Sequence, residues 1–141
     1  MNGLIKFLTI MIFFAASSVL AGEYTATNAL KYVITDGVET EDGTLIGLTA
    51  EGVWSDSRGN SGKVFCVGTR GKTLKAFCNS TDQDGDVQNS TATRVGTEGR
   101  GVLSGGTGKY ANVTGTCSYQ LAAFDKESLV GLITLQCTDN Q

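Results

Sequence analysis

Three aspartates at alternate positions, Asp82, Asp84 and Asp86, sit in the segment Asp82-Gln83-Asp84-Gly85-Asp86. Alternate residues of an extended segment point to one side, and hard carboxylate oxygens at that spacing suit Ca²⁺. An EF-hand loop would place glycine sixth and glutamate twelfth; counted from Asp82 those positions hold Val87 and Thr93, so the segment is not an EF-hand. Asp84-Gly85 is also a strong signal for a tight hairpin turn, in which case the flanking acids are simply solvated. The segment therefore reads either as a weak Ca²⁺ site that staples a loop or as a metal-free turn. No other cofactor is implied.

Catalytic chemistry is narrowed by what the 141 residues lack. There is no histidine, which removes Ser-His-Asp and Cys-His catalysis, His-bound zinc and the usual neutral-pH proton shuttle. Glu51 lies inside an apolar run. Were it enclosed in a barrel, its pKa would rise and it could serve as a general acid; facing solvent, it would do neither. Trp54 closes the same run, as a core plug or as a platform on which a ligand stacks. For Arg58, Arg94 and Arg100 the sequence identifies no partner, and no residue is assigned a catalytic role.

The amino-terminal stretch resembles an export signal: Lys6 supplies a positive start, residues 8–16 are apolar, and Val19-Leu20-Ala21 precedes a cleavage point. Residues 1–21 are thus expected to be a secretory signal peptide and 22–141 a single domain, secreted or periplasmic, with no membrane span once the signal is cut. Without Lys6, ten basic residues face fourteen acidic ones, and no basic block exists that could neutralise a row of phosphates, which argues against a nucleic-acid partner. Nothing in the sequence sets an oligomeric state. Asn79, Asn89 and Asn112 open glycosylation sequons, relevant only in a eukaryotic source.

In an oxidising compartment the four cysteines read as two disulfides, with three possible connectivities. Cys66 and Cys78 are symmetric about the polar break Arg70-Gly71-Lys72-Thr73, and Cys117 and Cys137 about Asp125-Lys126-Glu127-Ser128. If each break is a hairpin turn, each pair lies directly opposite across its own hairpin, close enough to bridge. That favours Cys66–Cys78 and Cys117–Cys137, with the two long-range pairings left open.

The elements that must position these groups are strands. Short runs rich in Val, Ile, Thr, Tyr and Phe, separated by Gly, Asp and Asn, are expected at 24–35, 44–54, 63–68, 74–79, 87–95, 99–103, 113–124 and 129–138. From 113 to 123 the odd positions are mostly apolar and the even ones polar. In the last run Leu129, Ile133, Leu135 and Cys137 share a face. A domain of eight short antiparallel strands is all-β, and it either closes as a barrel, which removes exposed edges, or packs as a sandwich.

The most specific stretch runs from Gly105 to Gly115. Gly105, Gly106 and Gly108 permit a sharp reversal, which Tyr110 and Val113 can anchor to the core. A phosphate-cradling loop is not supported, because Tyr110 follows Gly108-Lys109 where Ser or Thr is required. The pattern Gly-Gly-Thr-Gly, an aromatic two positions on, then Val113 and Gly115, resembles the turn-and-strand signature of allene oxide cyclase-like and dirigent-like β-barrels. With the upstream Asp82–Asp86 turn, it is most similar to their small exported bacterial members, which have no assigned activity. The resemblance spans 82–115 and implies a single eight-stranded antiparallel β-barrel with one central cavity. Cyclases of that group close a fatty-acid epoxide and dirigent proteins orient the coupling of phenol radicals, both with polar residues inside the barrel. Only the glycine turn aligns, so none of those site residues transfers to this chain.

The expected function is non-enzymatic binding of a small apolar ligand in the cavity. The alternatives are an isomerase or cyclase acting on a lipid-like substrate, which needs inward ionisable groups of perturbed pKa, and a structural envelope module with a filled interior.

Overall fold

Alternation with period two runs through the chain, and the computed structural model, which describes residues 22–141, shows what it builds. The expected signal segment 1–21 lies outside the described residues. The strands are β1 (Gly22–Thr40), β2 (Gly43–Asp56), β3 (Ser61–Arg70), β4 (Leu74–Asp82), β5 (Val87–Val95), β6 (Glu98–Gly106), β7 (Thr114–Asp125) and β8 (Val130–Asp139). Each pairs antiparallel with the next, and β8 returns to β1 over Gly22–Lys31 to close a barrel. Closure satisfies the ladder groups that a sandwich would leave at its edges. One turn of 3-10 helix, Gly108–Tyr110, lies between β6 and β7.

Inward positions carry Leu30, Tyr32, Leu48, Ala50, Val64, Cys66, Leu74, Ala76, Tyr119 and Ile133, which form one buried cluster. Each large aliphatic side chain so buried contributes about 1.5–3 kcal/mol. The intervening residues, among them Lys31, Glu51, Lys63 and Lys75, point outward and are exposed. Glu51 is therefore not an internal acid: with Leu48 and Ala50 inside, strand parity turns it to solvent, opposite Phe65 of β3.

Both hairpin disulfides are present. Cys66 faces Cys78 and Cys117 faces Cys137 in direct register, with Cα atoms 4.1 and 4.0 Å apart. The two bridges tie β3 to β4 and β7 to β8, on opposite sides of the eight-stranded ring.

Two departures from the expected strands have local causes. In β7 the register shifts between Leu121 and Ala123, so the inner row stops at Leu121 and Ala123 turns outward. β1 does not end at position 35; a shift between Ile34 and Gly37 lets it continue to Thr40 against β2. Because β8 pairs with β1 only as far as Lys31 and β3 meets β2 only from Ile46, the intervening β1–β2 hairpin overhangs one end of the barrel. Val33, Ile34, Val38 and Leu45 on this overhang are exposed.

Candidate functional site: a cavity with two unlike ends

The barrel interior holds a cavity of about 130 Å³ that is partly open to solvent. Its middle is apolar, walled by Leu30, Leu48, Ala50, Leu74, Ala76 and Ile133, with both disulfides in the lining. Trp54 is half-buried in the wall, and its indole N–H donates to the Thr81 carbonyl at 3.3 Å. The uncharged polar side chains Asn28, Ser80, Gln88, Ser90 and Thr91 also line the cavity, while the charged groups and the phenols gather at two ends that differ in kind.

The aspartate end holds the β2–β3, β4–β5 and β6–β7 connections together with Gly22 and Asp139. Two of its turns are built alike. In Asp56-Ser57-Arg58-Gly59-Asn60, Asp56 Oδ1 accepts from the amides of Arg58 and Asn60, both at 2.9 Å, and the Asp56 amide donates to the Asn60 carbonyl. In Asp82–Asp86, Asp82 Oδ1 accepts from the amides of Asp84 and Asp86 at 2.9 and 3.0 Å, and the Asp82 amide donates to the Asp86 carbonyl. The fourth residue is glycine at φ +88° in both, a left-handed conformation that strains any residue with a Cβ. The sequence signal for this equivalence is Asp-x-x-Gly followed by Asn or Asp, and only the second copy stands out by its alternate aspartates.

The three aspartates of the second turn do not converge on one point. Asp82 Oδ2 and Asp84 Oδ2 lie 2.6 and 3.2 Å from the Lys109 ammonium, whereas Asp86 Oδ2 accepts from the Lys109 backbone amide at 3.1 Å. Among the described residues no three His, Cys, Asp or Glu side chains are grouped as a metal ion would require. The segment is a turn, but its acids are not all solvated, since the Asp82 side chain is fully buried. Burial alone would raise the Asp82 carboxyl; the Lys109 ammonium and the Asp84 and Asp86 amides outweigh it and hold the group below the ordinary carboxylate value. The same contact with Asp82 raises Lys109.

Arg58 completes this end. Its guanidinium lies 3.0 Å from Asp139 Oδ2 and 3.8 Å from Asp56 Oδ2, and it stacks 3.7 Å over the Tyr24 ring. The glycine-rich turn packs beside it. Gly105 and Gly108 take positive φ, Gly106 closes β6 against the Val87 carbonyl, Gly115 enters β7 opposite Asp139, and Tyr110 and Val113 are buried as anchors. Tyr24 and Tyr110 are both pushed up to about 12 by burial, with Arg58 and Lys109 respectively opposing it.

The arginine end is simpler. Arg94 on β5, Gly99 on β6 and Tyr119 on β7 stand side by side across the ladder. A Cβ at Gly99 would strike the Tyr119 ring, so the missing side chain lets the phenol lie across β6 beside Arg94. Tyr32 approaches from β1, its ring over Gly131 and edge-on to Phe124 at 5.8 Å. Arg94 is 8% exposed and lines the cavity together with Tyr32 and Tyr119. Among the described residues no carboxylate lies within ion-pair distance of it. Burial pushes Tyr119 up to about 12 against the field of Arg94; it also raises Tyr32, against the fields of Arg94 and Arg70. Arg100, by contrast, is exposed on the outer face.

The sequence named Arg94 without a partner or a role. Its burial becomes visible only when β5 is given an inward parity through Ala92 and Gln88, residues too polar or too small to announce a core face. No family model and no curated protein matches the chain, which leaves the interior of the barrel as the ground for a functional reading.

Proposed function

We propose that the chain is an exported, disulfide-stapled barrel that takes up one small, largely apolar molecule in its interior. The observation that carries this reading is the cavity of about 130 Å³ with an apolar waist. A dry cavity of roughly 150 Å³ lined by aliphatic and aromatic groups is enough to hold a benzene ring. The paired disulfides support an oxidising compartment, where such bridges persist. The closed eight-stranded ring supports kinship with allene oxide cyclase-like barrels, because it is the architecture their turn signature implies.

Binding is favoured over cyclase chemistry by the titratable groups that face the cavity. A general acid or base works best with a pKa near ambient pH, whereas the Tyr24 and Tyr119 phenols are pushed up to about 12 and Glu51 lies outside. The outer surface supports an aqueous setting for the barrel: Lys31, Glu51, Lys63, Lys75 and Arg100 interrupt it, where a lipid-facing band would be continuously apolar.

Native mass spectrometry of the mature protein from its own host tests the reading. A retained small mass, released on denaturation, is the expected result, and the polypeptide should weigh four hydrogens less than its reduced form. If no mass is retained and added toluene leaves the amide spectrum of the barrel unchanged, the structural-module reading replaces this one.

A further inference from the structure

A buried arginine is rare unless something neutralises it, and elsewhere this molecule obeys that rule: Arg58 lies between Asp56 and Asp139, and Lys109 between Asp82 and Asp84. Arg94 is more buried than either, and its polar company is two tyrosines. Their phenols stay protonated far above neutral pH and so supply no negative charge. Arg94 lines the barrel cavity beside apolar wall: Leu74 is its ladder neighbour on β4, and Leu103 and Ile133 line the same cavity. Resting on the proposal that the cavity takes a small apolar ligand, we infer that this ligand is a carboxylate, its anionic group held by Arg94 with the Tyr32 and Tyr119 hydroxyls and its compact apolar body in the barrel waist.

The chemistry fits a planar anion. A guanidinium presents parallel N–H donors that match the two oxygens of a carboxylate, and each phenol adds one O–H donor. Arg70 is inward by the parity of β3 at the same end, and its field reaches Tyr32. It adds attraction for an anion at the rim. The cavity volume limits the apolar body to about a single six-membered ring or a short chain.

Benzoate, its neutral isostere benzamide, and toluene separate this inference from the binding reading beneath it. Each is titrated into wild-type protein and into R94M and Y119F, following the arginine Nε–H and interior amide resonances. Toluene and benzoate are expected to bind in the interior of the wild type, benzoate about tenfold tighter than benzamide or more. R94M should abolish that margin while holding toluene affinity within about twofold, and Y119F should erode it by roughly threefold. If toluene binds but benzoate gains nothing over benzamide, or if R94M binds benzoate as wild type does, the carboxylate site is overturned and the apolar cavity stands. If none of the three probes binds, both fail. R94Q, which keeps the polarity without the charge, replaces R94M should that variant not fold.

Discussion

The two ends of the barrel are assembled from similar parts and put them to different ends. Each has two inward tyrosines and at least one basic side chain: Tyr24, Tyr110, Arg58 and Lys109 at one, Tyr32, Tyr119 and Arg94 at the other. At the aspartate end three buried carboxylates, Asp56, Asp82 and Asp139, consume the positive charge, and two of them also bind the amides of their own turns. Charge there is architecture: it ties the turns at residues 57–60 and 83–86 to the glycine turn and to β8. At the arginine end the carboxylates, such as Asp42 and Asp125, lie in exposed turns and strand ends, and among the described residues none pairs with Arg94, which lines the cavity. A charge that is matched holds the fold together, whereas one left unmatched in a cavity costs stability and is available to a ligand.

The largest expected effect is alkaline. All four tyrosines of the chain have raised pKa values, three of them to about 12. A group whose folded pKa lies above its unfolded one stabilises fully below the unfolded value of 10.0 and ceases to do so as pH climbs through the folded value. The barrel should therefore lose stability between pH 10 and 12, seen as tyrosinate absorbance rising together with loss of the β signal in circular dichroism. Tyr32, opposed by two arginines, should ionise first, and Y32F should remove that earliest step.

The next effect breaks the aspartate end alone. D139A strips Arg58 of its closest carboxylate and should destabilise the protein by about 3 kcal/mol in urea unfolding. Acid should do the same through Asp82. Its depressed pKa means that its contribution is present above the ordinary carboxylate value of 3.8 and disappears as pH falls towards the folded value.

The opposite sign is expected at the arginine end. R94M replaces an unmatched buried cation with an apolar chain of similar length and should leave stability unchanged or raise it by about 1–2 kcal/mol in the same assay. A loss comparable to that of D139A would mean that Arg94 has an internal partner and that the two ends are not different in kind.

The smallest effects compare the two turns of the aspartate end with each other. G59A and G85A force a Cβ into the same φ +88° conformation in space that is otherwise open, and each should cost about 1 kcal/mol. Unequal costs in thermal melts would show that the turns, alike in hydrogen bonding, are not alike in energy.

Much of this was legible in sequence because it is local. Alternation across 129–138 assigns Ile133, Leu135 and Cys137 to one face wherever that strand is placed, and the hairpin symmetry of the cysteines brings each pair together without reference to the rest of the chain. The anchoring of the glycine turn by Tyr110 and Val113 is local in the same sense. Even the outward position of Glu51 follows from Leu48 and Ala50 once parity is applied.

What parity cannot state is which residues meet across the ring. Arg58 and Asp139 stand 81 positions apart and become partners because β8 closes on β1, bringing the two strand ends to one rim. Lys109 reaches Asp82 because a one-turn helix folds back over the β4–β5 turn. Arg94 is buried without an ion-pair partner for a related reason: the acids at its end, among them Asp42, Glu98, Asp125 and Glu127, sit in exposed turns and strand ends while strand parity turns Arg94 inward. Period-two patterning is a property of one strand, so composition and spacing decided the strands, their faces and the two disulfides. Charge pairing is a property of the closed cylinder, so only the tertiary structure decided which charges hold the barrel together and that Arg94 lines its cavity without an ion-pair partner among the described residues.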